Sequence, residues 1–231
     1  MTPPPDTVHF HTPRGRAHVH FTTRADGDLN ADRVALELLA RRWRAAVHRP
    51  VVWLTEEHGA EVVVIDADGP DRAGRGDALV TAVPQRALGI WVGDCAPVAL
   101  VSDEGVVGAA HAGWRGLIAG VVYETVSAMR TLGATRIGAV VGPCIHPECY
   151  EFGRADLDTL TETFGAAVAA TTSWGTPALD LPAAVGAALA AEGVAVTDVG
   201  SACTACDERY WSHRARGDRE RQGMAVWLDA A

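Results

Sequence analysis

Between residues 51 and 112 the chain carries six short apolar runs, each closed by turn residues: VVWLTE (51–56), EVVVID (61–66), DALVTAV (77–83), LGIWVGD (88–94), PVALVSD (97–103) and VVGAAHA (106–112). Runs this short, rich in valine and bounded by glycine, proline and aspartate, read as strands rather than helices. Six of them in close succession commit the chain to a sheet-based core. AHVHFTTR (17–24), RIGAVVGP (136–143) and GMAVWL (223–228) read as further strands.

Helical spacing occurs elsewhere. Asn30 is a candidate cap for a helix through about Val47, with Leu36, Leu39, Trp43 and Val47 on one face. Residues 117–133 keep a helical period and end on Gly133, a normal place for a C-terminal glycine. Residues 155–165 and 180–193 read as two more helices, the second opened by Asp180 with Pro182 in its first turn. Strands cluster early and helices interleave later, so the fold class is α+β, or mixed α/β. Residues 1–16, rich in proline and polar groups, read as a flexible lead-in to a single domain over 17–231. A chain of 231 residues is long enough to bury one proper core without covalent staples.

Charge and composition exclude several functions. A net charge of −9 is wrong for a protein whose main task is gripping a phosphate backbone, so nucleic acid is not an expected partner. All twenty basic residues are arginine, which removes Schiff-base chemistry and a P-loop lysine. Any cation in a site is then a fixed clamp and never a base. No window has the roughly 20 continuous apolar residues of a membrane helix, and the opening MTPPPDTVHFHTPRGR lacks a signal pattern. The expected address is cytoplasmic, where Cys95, Cys144, Cys149, Cys203 and Cys206 stay reduced and are available for metal binding or catalysis.

Three metal-ligand types stand where predicted strands end: His58 in EEHGAE, Cys95 in GDCAPV and His111 where VVGAA runs out. Strand ends on one edge of a sheet are neighbours in space. A His/Cys/His set suits zinc and leaves a fourth position open for reaction. A competing reading makes each histidine a hydrogen-bonded surface group and the cysteine a small buried hydrophobe. A rival metal site is a closed four-cysteine cluster from Cys144-x4-Cys149 and Cys203-x2-Cys206, the alternative being two buried pairs of reduced thiols. His9, His11, His18 and His20 form two further metal-like pairs near the N-terminus.

HG at 58–59, GDALVT at 76–81, DCAPVAL at 94–100, HAGWRG at 111–116, GPCIHPECYEFG at 142–153 and CTACDERYWSHR at 203–214 follow one another in an order that resembles the bacterial laccase-domain family. Members have been labelled polyphenol oxidase, peptidoglycan editing factor and, now mostly, purine nucleoside phosphorylase. The resemblance spans residues 18 to 228. It implies a four-layer α/β/β/α sandwich with mixed sheets and a zinc ion held by His58, Cys95 and His111. It also implies phosphorolysis of adenosine, inosine and methylthioadenosine, with adenosine deamination as a second reaction and a laccase-like copper activity as the older label. Two departures stand out: Glu56 replaces a glutamine two positions before the His-Gly pair, and Arg24-Ala25-Asp26-Gly27-Asp28 replaces a glycine-rich turn.

A phosphorylase has to hold phosphate and stabilise the departing purine. With no lysine in the chain, Arg24 and Arg115 are the expected phosphate clamps. Asp94, next to Cys95, is the candidate proton shuttle. Cys144 is a second candidate catalytic group, and His146 beside it is expected to line the substrate pocket. Expected partners are purine nucleosides and phosphate, with no membrane and a monomer or small homo-oligomer. The competing classes are a copper-dependent polyphenol oxidase and a non-enzymatic cell-wall factor.

Overall fold

The structure is a computed structural model and describes residues 7–199 and 202–229. In chain order its elements are β1 (Thr7–Thr12), β2 (Gly15–Phe21), α1 (Leu36–Val47), β3 (Val51–Thr55), β4 (Val62–Val64), β5 (Arg72–Arg75), β6 (Ala78–Thr81), β7 (Ala87–Val92), β8 (Ala96–Ser102), β9 (Val107–Ala112), α2 (Trp114–Ala119), α3 (Val121–Thr131), β10 (Ile137–Val141), α4 (Arg154–Phe164), β11 (Ala169–Thr171), β12 (Pro177–Leu179), α5 (Leu181–Ala191), β13 (Ala195–Val199), α6 (His213–Arg216) and β14 (Gln222–Leu228). Twelve of the strands form two mixed six-stranded sheets, in the orders β1-β2-β14-β7-β3-β5 and β13-β10-β8-β9-β6-β4. The remaining two, β11 and β12, make a small hairpin.

Side-chain alternation explains the layering. In β3, Val52 and Leu54 join Leu88, Ile90 and Val226 of the first sheet and Leu79, Ala99, Val101 and Val107 of the second in a core between the sheets. The alternate residues Val51 and Trp53 face the other way, against Leu39, Trp43 and Val47 of α1. The second sheet repeats the pattern: Val98 and Leu100 turn outward to Val121, Val126 and Met129 of α3 and to Leu181 and Val185 of α5. Strands buried on both faces read as continuous apolar runs, which is how they look in the sequence. Three separate apolar clusters, helix–sheet, sheet–sheet and sheet–helix, make a four-layer α/β/β/α sandwich.

Several boundaries differ from the sequence reading. The lead-in expected over 1–16 is ordered from Thr7 onward: β1 pairs antiparallel with β2, His9 opposite His18 and Phe10 opposite Ala17. As an edge strand it is polar on one side, so its composition looks like a tail. Residues 1–6 lie outside the described residues. The histidine pairs sit on this hairpin, where His18 Nε2 binds Asp229 at 2.7 Å and the His18 ring stacks on Trp227. The first helix starts at Leu36 and not at Asn30, whose side chain instead accepts from Asp32 in a tight turn and donates to Arg219 O. The helix expected over 117–133 begins earlier, at Trp114, and is broken at Gly120. β5, the β11–β12 hairpin, β13 and α6 were not legible as elements.

Trp43 is fully buried and seats its indole against two glycines of adjacent strands. A Cβ on Gly223 would lie 2.4 Å from Trp43 Cη2, and one on Gly89 would lie 3.1 Å from Trp43 Cζ2. Absence of side chains there creates the notch that docks α1. Gly223→Ala is expected to cost about 1–3 kcal/mol through overpacking, read as a lower urea midpoint at unchanged slope. A midpoint at the wild-type value would contradict this tight seat.

Candidate metal centre and active site

The candidate site lies where the chain twice crosses from one sheet to the other. β3 of the first sheet leads through His58 into β4 of the second, and β7 of the first leads through Cys95 into β8 of the second. His111 is on β9, paired with Pro97 of β8, two positions after Cys95. The ligand atoms of His58, Cys95 and His111 all lie within 4.8 Å of one another. The two imidazoles meet edge to face, with centroids 4.7 Å apart. The three residues picked out at strand ends are therefore brought together.

Asp77, directly before β6, organises this cluster. Its Oδ1 accepts from the amide of His58 at 2.8 Å and its Oδ2 from the amide of Gly59 at 2.6 Å. His111 Nδ1 lies 2.9 Å from Oδ1, so the ring donates there and keeps Nε2 for a ligand. The amide bonds also hold His58 in the left-handed region, φ 61°, which a side chain of this size adopts only when held. Burial alone would push the Asp77 carboxyl up, but the His111 ring and the Gly59 and His58 amides hold it below the usual carboxylate range. Asp77 stands inside the GDALVT segment, where nothing local signals this role.

Electrostatics around the ligands are strongly coupled. Burial disfavours the Cys95 thiolate, yet the His111 and His58 imidazoles outweigh it and bring the thiol down to about 6. Burial likewise disfavours a charged His111, but Glu56, Cys95 and Asp77 hold its pKa well above the ordinary value. Glu56, 3 % exposed, accepts from the Trp91 amide at 2.9 Å and places its other oxygen 3.5 Å from His111 Nδ1. Its burial raises it to about 8, against the pull of His111. The donor set of two imidazoles and a thiol, with a carboxylate behind one imidazole, fits a borderline-soft ion with one side left open.

Gly113, which caps α2, is part of the fit. A Cβ there would stand 2.9 Å from Cys95 Sγ and 3.3 Å from His58 Cδ2. The HAGWRG segment is thus both a turn and the edge of the site: α2 starts against the ligands because no side chain intervenes.

A cavity of about 420 Å³ opens over the cluster, a size in the range of small-molecule sites. Its walls include Trp91, Trp114, Arg115, Tyr150, His213 and Arg214. Arg115 lies over the Trp114 ring at 4.4 Å and, among the described residues, has no carboxylate partner. Asp94 borders the cavity, but both oxygens are taken: Oδ1 accepts from Thr204 and Ser212 hydroxyls at 2.7 Å each, Oδ2 from the Arg214 amide at 2.7 Å. It positions the 204–214 loop.

Three of the expected residues stand outside the cavity wall. Arg24 does not line the cavity; its guanidinium binds Asp218 at 2.8 Å and Tyr210 O at 2.9 Å, a pairing between residues far apart in sequence. Cys144 is 1 % exposed in the helix–sheet core, where burial pushes its thiol up, and it is not among the residues of the cavity wall. His146 is not in the cavity wall either, and its Nδ1 lies 3.8 Å from Glu148. Tyr150, His213 and Arg214 line the wall without having been assigned to it, although they stand inside the GPCIHPECYEFG and CTACDERYWSHR segments.

Asp77→Asn is expected to weaken metal binding about 10–100-fold, measured by competition with a chromophoric chelator, while Glu37→Gln on α1 leaves it unchanged. Equal affinities in wild type and the Asp77 variant would contradict its organising role.

The chain matches the family described as multi-copper polyphenol oxidoreductase laccase over residues 22–229. It is 42 % identical over 183 residues to a purine nucleoside phosphorylase of Streptomyces coelicolor, covering 78 % of this chain and 75 % of that one. To a purine nucleoside phosphorylase of Streptomyces griseus it is 40 % identical over 240 residues, covering 93 % and 96 %. The crystal structure of a Neisseria meningitidis protein superposes with a TM-score of 0.80 at 25 % identity, over 97 % of this chain and 100 % of that one. On its sequence match and its sandwich fold, the chain belongs to the laccase-domain family, among whose relatives are proteins named purine nucleoside phosphorylase.

Proposed function

We propose that the chain is a zinc-dependent purine nucleoside phosphorylase. It transfers the ribosyl group of adenosine, inosine or methylthioadenosine from the purine nitrogen to phosphate, giving free base and the sugar 1-phosphate. Adenosine deamination is proposed as a second reaction of the same site, and the cytoplasm as its location. The observation that carries this reading is the convergence of His58, Cys95 and His111 beneath a cavity whose wall holds Arg115 without a carboxylate partner. The names of the relatives from two Streptomyces species support the substrate class.

His58, Cys95 and His111 would hold the ion, with Asp77 fixing the tautomer of His111. When bound, the ion supplies a Lewis acid that stabilises negative charge developing in the transition state. Arg115 supplies a planar, permanently charged fork for two phosphate oxygens. Tyr150, whose phenol burial keeps protonated, offers an O–H to the base or sugar. Asp94 acts through the 204–214 loop by holding Arg214 and its neighbours in the wall. The family description favours a second reading, a copper oxidase acting on phenols. Multi-copper chemistry needs several imidazole-rich sites, and the other metal-compatible cluster among the described residues is rich in thiol instead.

Zinc-loaded protein given inosine is expected to form ribose 1-phosphate only when phosphate is present. His111→Ala should lower turnover by on the order of 100-fold or more, and Arg115→Ala should raise the KM for phosphate. Phenol oxidation that scales with copper content, with no phosphate-dependent release of base, would overturn the proposal.

A further inference from the structure

A second cluster of ligands stands apart from the cavity floor. Cys149 Sγ and Cys206 Sγ are 3.2 Å apart, and ligand atoms of Glu148, Cys149, Cys203 and Cys206 all lie within 4.8 Å of one another. Sulfurs bound tetrahedrally to zinc at about 2.3 Å lie about 3.8 Å apart, so the span suits one ion without rearrangement of the chain. Cys203 is buried, and the amide of His146 donates to its Sγ at 3.4 Å, which aims the sulfur at the turn that carries Glu148 and Cys149.

The cysteines are not simply core filler. Cys144 is, being enclosed among apolar side chains, but Cys206 is exposed and Glu148 keeps 44 % of its side chain accessible. An apolar cluster gives no reason for a carboxylate beside three thiols. The four-cysteine set suggested by spacing is therefore altered: Cys144 drops out and Glu148 takes its place.

Position gives the cluster a purpose. Cys149 sits in the single turn Pro147–Cys149, directly before Tyr150 of the cavity wall. Cys203 directly precedes Thr204, which holds Asp94, and the same loop runs on to Arg214. Apart from that turn and the four-residue α6, both stretches lack helix or strand, so no ladder of backbone bonds fixes them to each other. Their direct links are an isolated bridge between Cys144 and Cys203 with Thr204 N on Cys144 O at 3.0 Å, the His146 amide on Cys203 Sγ, Arg214 onto Glu151 O, and the Arg214 guanidinium over the Tyr150 ring at 4.7 Å.

We propose that Cys149, Cys203 and Cys206, with Glu148 as fourth donor, form a second, closed zinc site that staples the Tyr150 segment to the Thr204–Arg214 loop. All four positions are filled by the protein, so the ion is structural and takes no part in chemistry. It fixes two walls of the cavity from behind.

Zinc per chain, measured by emission spectrometry on protein purified without chelator, tests this directly. Wild type is expected to carry two equivalents, and the His58→Ala/His111→Ala and Cys203→Ser/Cys206→Ser double variants one each. Cobalt loaded into the His58→Ala/His111→Ala variant should give intense sulfur-to-cobalt absorption that falls on further replacement of the exposed Cys206 by serine. One equivalent in wild type, lost entirely with His58 and His111, would overturn the proposal. So would a Cys149–Cys206 disulfide in protein kept free of added oxidant. Loss of phosphorolysis with both ions present would count against the proposed function alone.

Discussion

The carboxylate of Asp77 accepts the amides of His58 and Gly59 and the ring of His111, and in doing so joins a loop arriving from one sheet to a strand of the other. A buried carboxylate is costly unless its oxygens are fully engaged. Here its partners are the very groups whose placement the site needs. The same bonds hold His58 in a left-handed conformation, orient His111, and lower the carboxyl group's own affinity for protons. Moving any one of them loosens the rest.

The sandwich explains why ligands can gather there at all. Its central strands are apolar on both faces, so their interiors have no room for chemistry. Polar groups collect where strands end and the chain changes sheet. Two such crossings, carrying His58 and Cys95, fall at one end of the sandwich beside the end of β9, which carries His111. Gly113 then lets α2 begin against the ligands, so Trp114 and Arg115 reach the cavity wall. The fold thereby supplies a rigid floor, and irregular segments around residues 144–151 and 203–214 supply walls.

The central strands and the ligand triad were legible because each leaves a local trace: a closed apolar run, or a ligating side chain where such a run stops. Asp77 left none, since an aspartate after a glycine reads as an ordinary turn. The surroundings of Arg24 were illegible for a related reason: its partner Asp218 lies 194 positions away, and nothing near Arg24 announces it. Cys144 and Cys149 look alike in sequence, yet one is enclosed in the helix–sheet core and the other, at the rim of that core, meets Cys206 of a neighbouring loop. β1 was hidden by its edge position, where polar residues alternate with apolar ones and proline precedes it.

The most direct measurement is X-ray absorption at the metal edge of loaded Cys203→Ser/Cys206→Ser protein, which isolates the site beneath the cavity. The expected coordination is two imidazole nitrogens, one sulfur and a light-atom ligand that changes when phosphate is added. A shell without sulfur, or one built from oxygens alone, would contradict the assignment of His58, Cys95 and His111 as the metal-binding set.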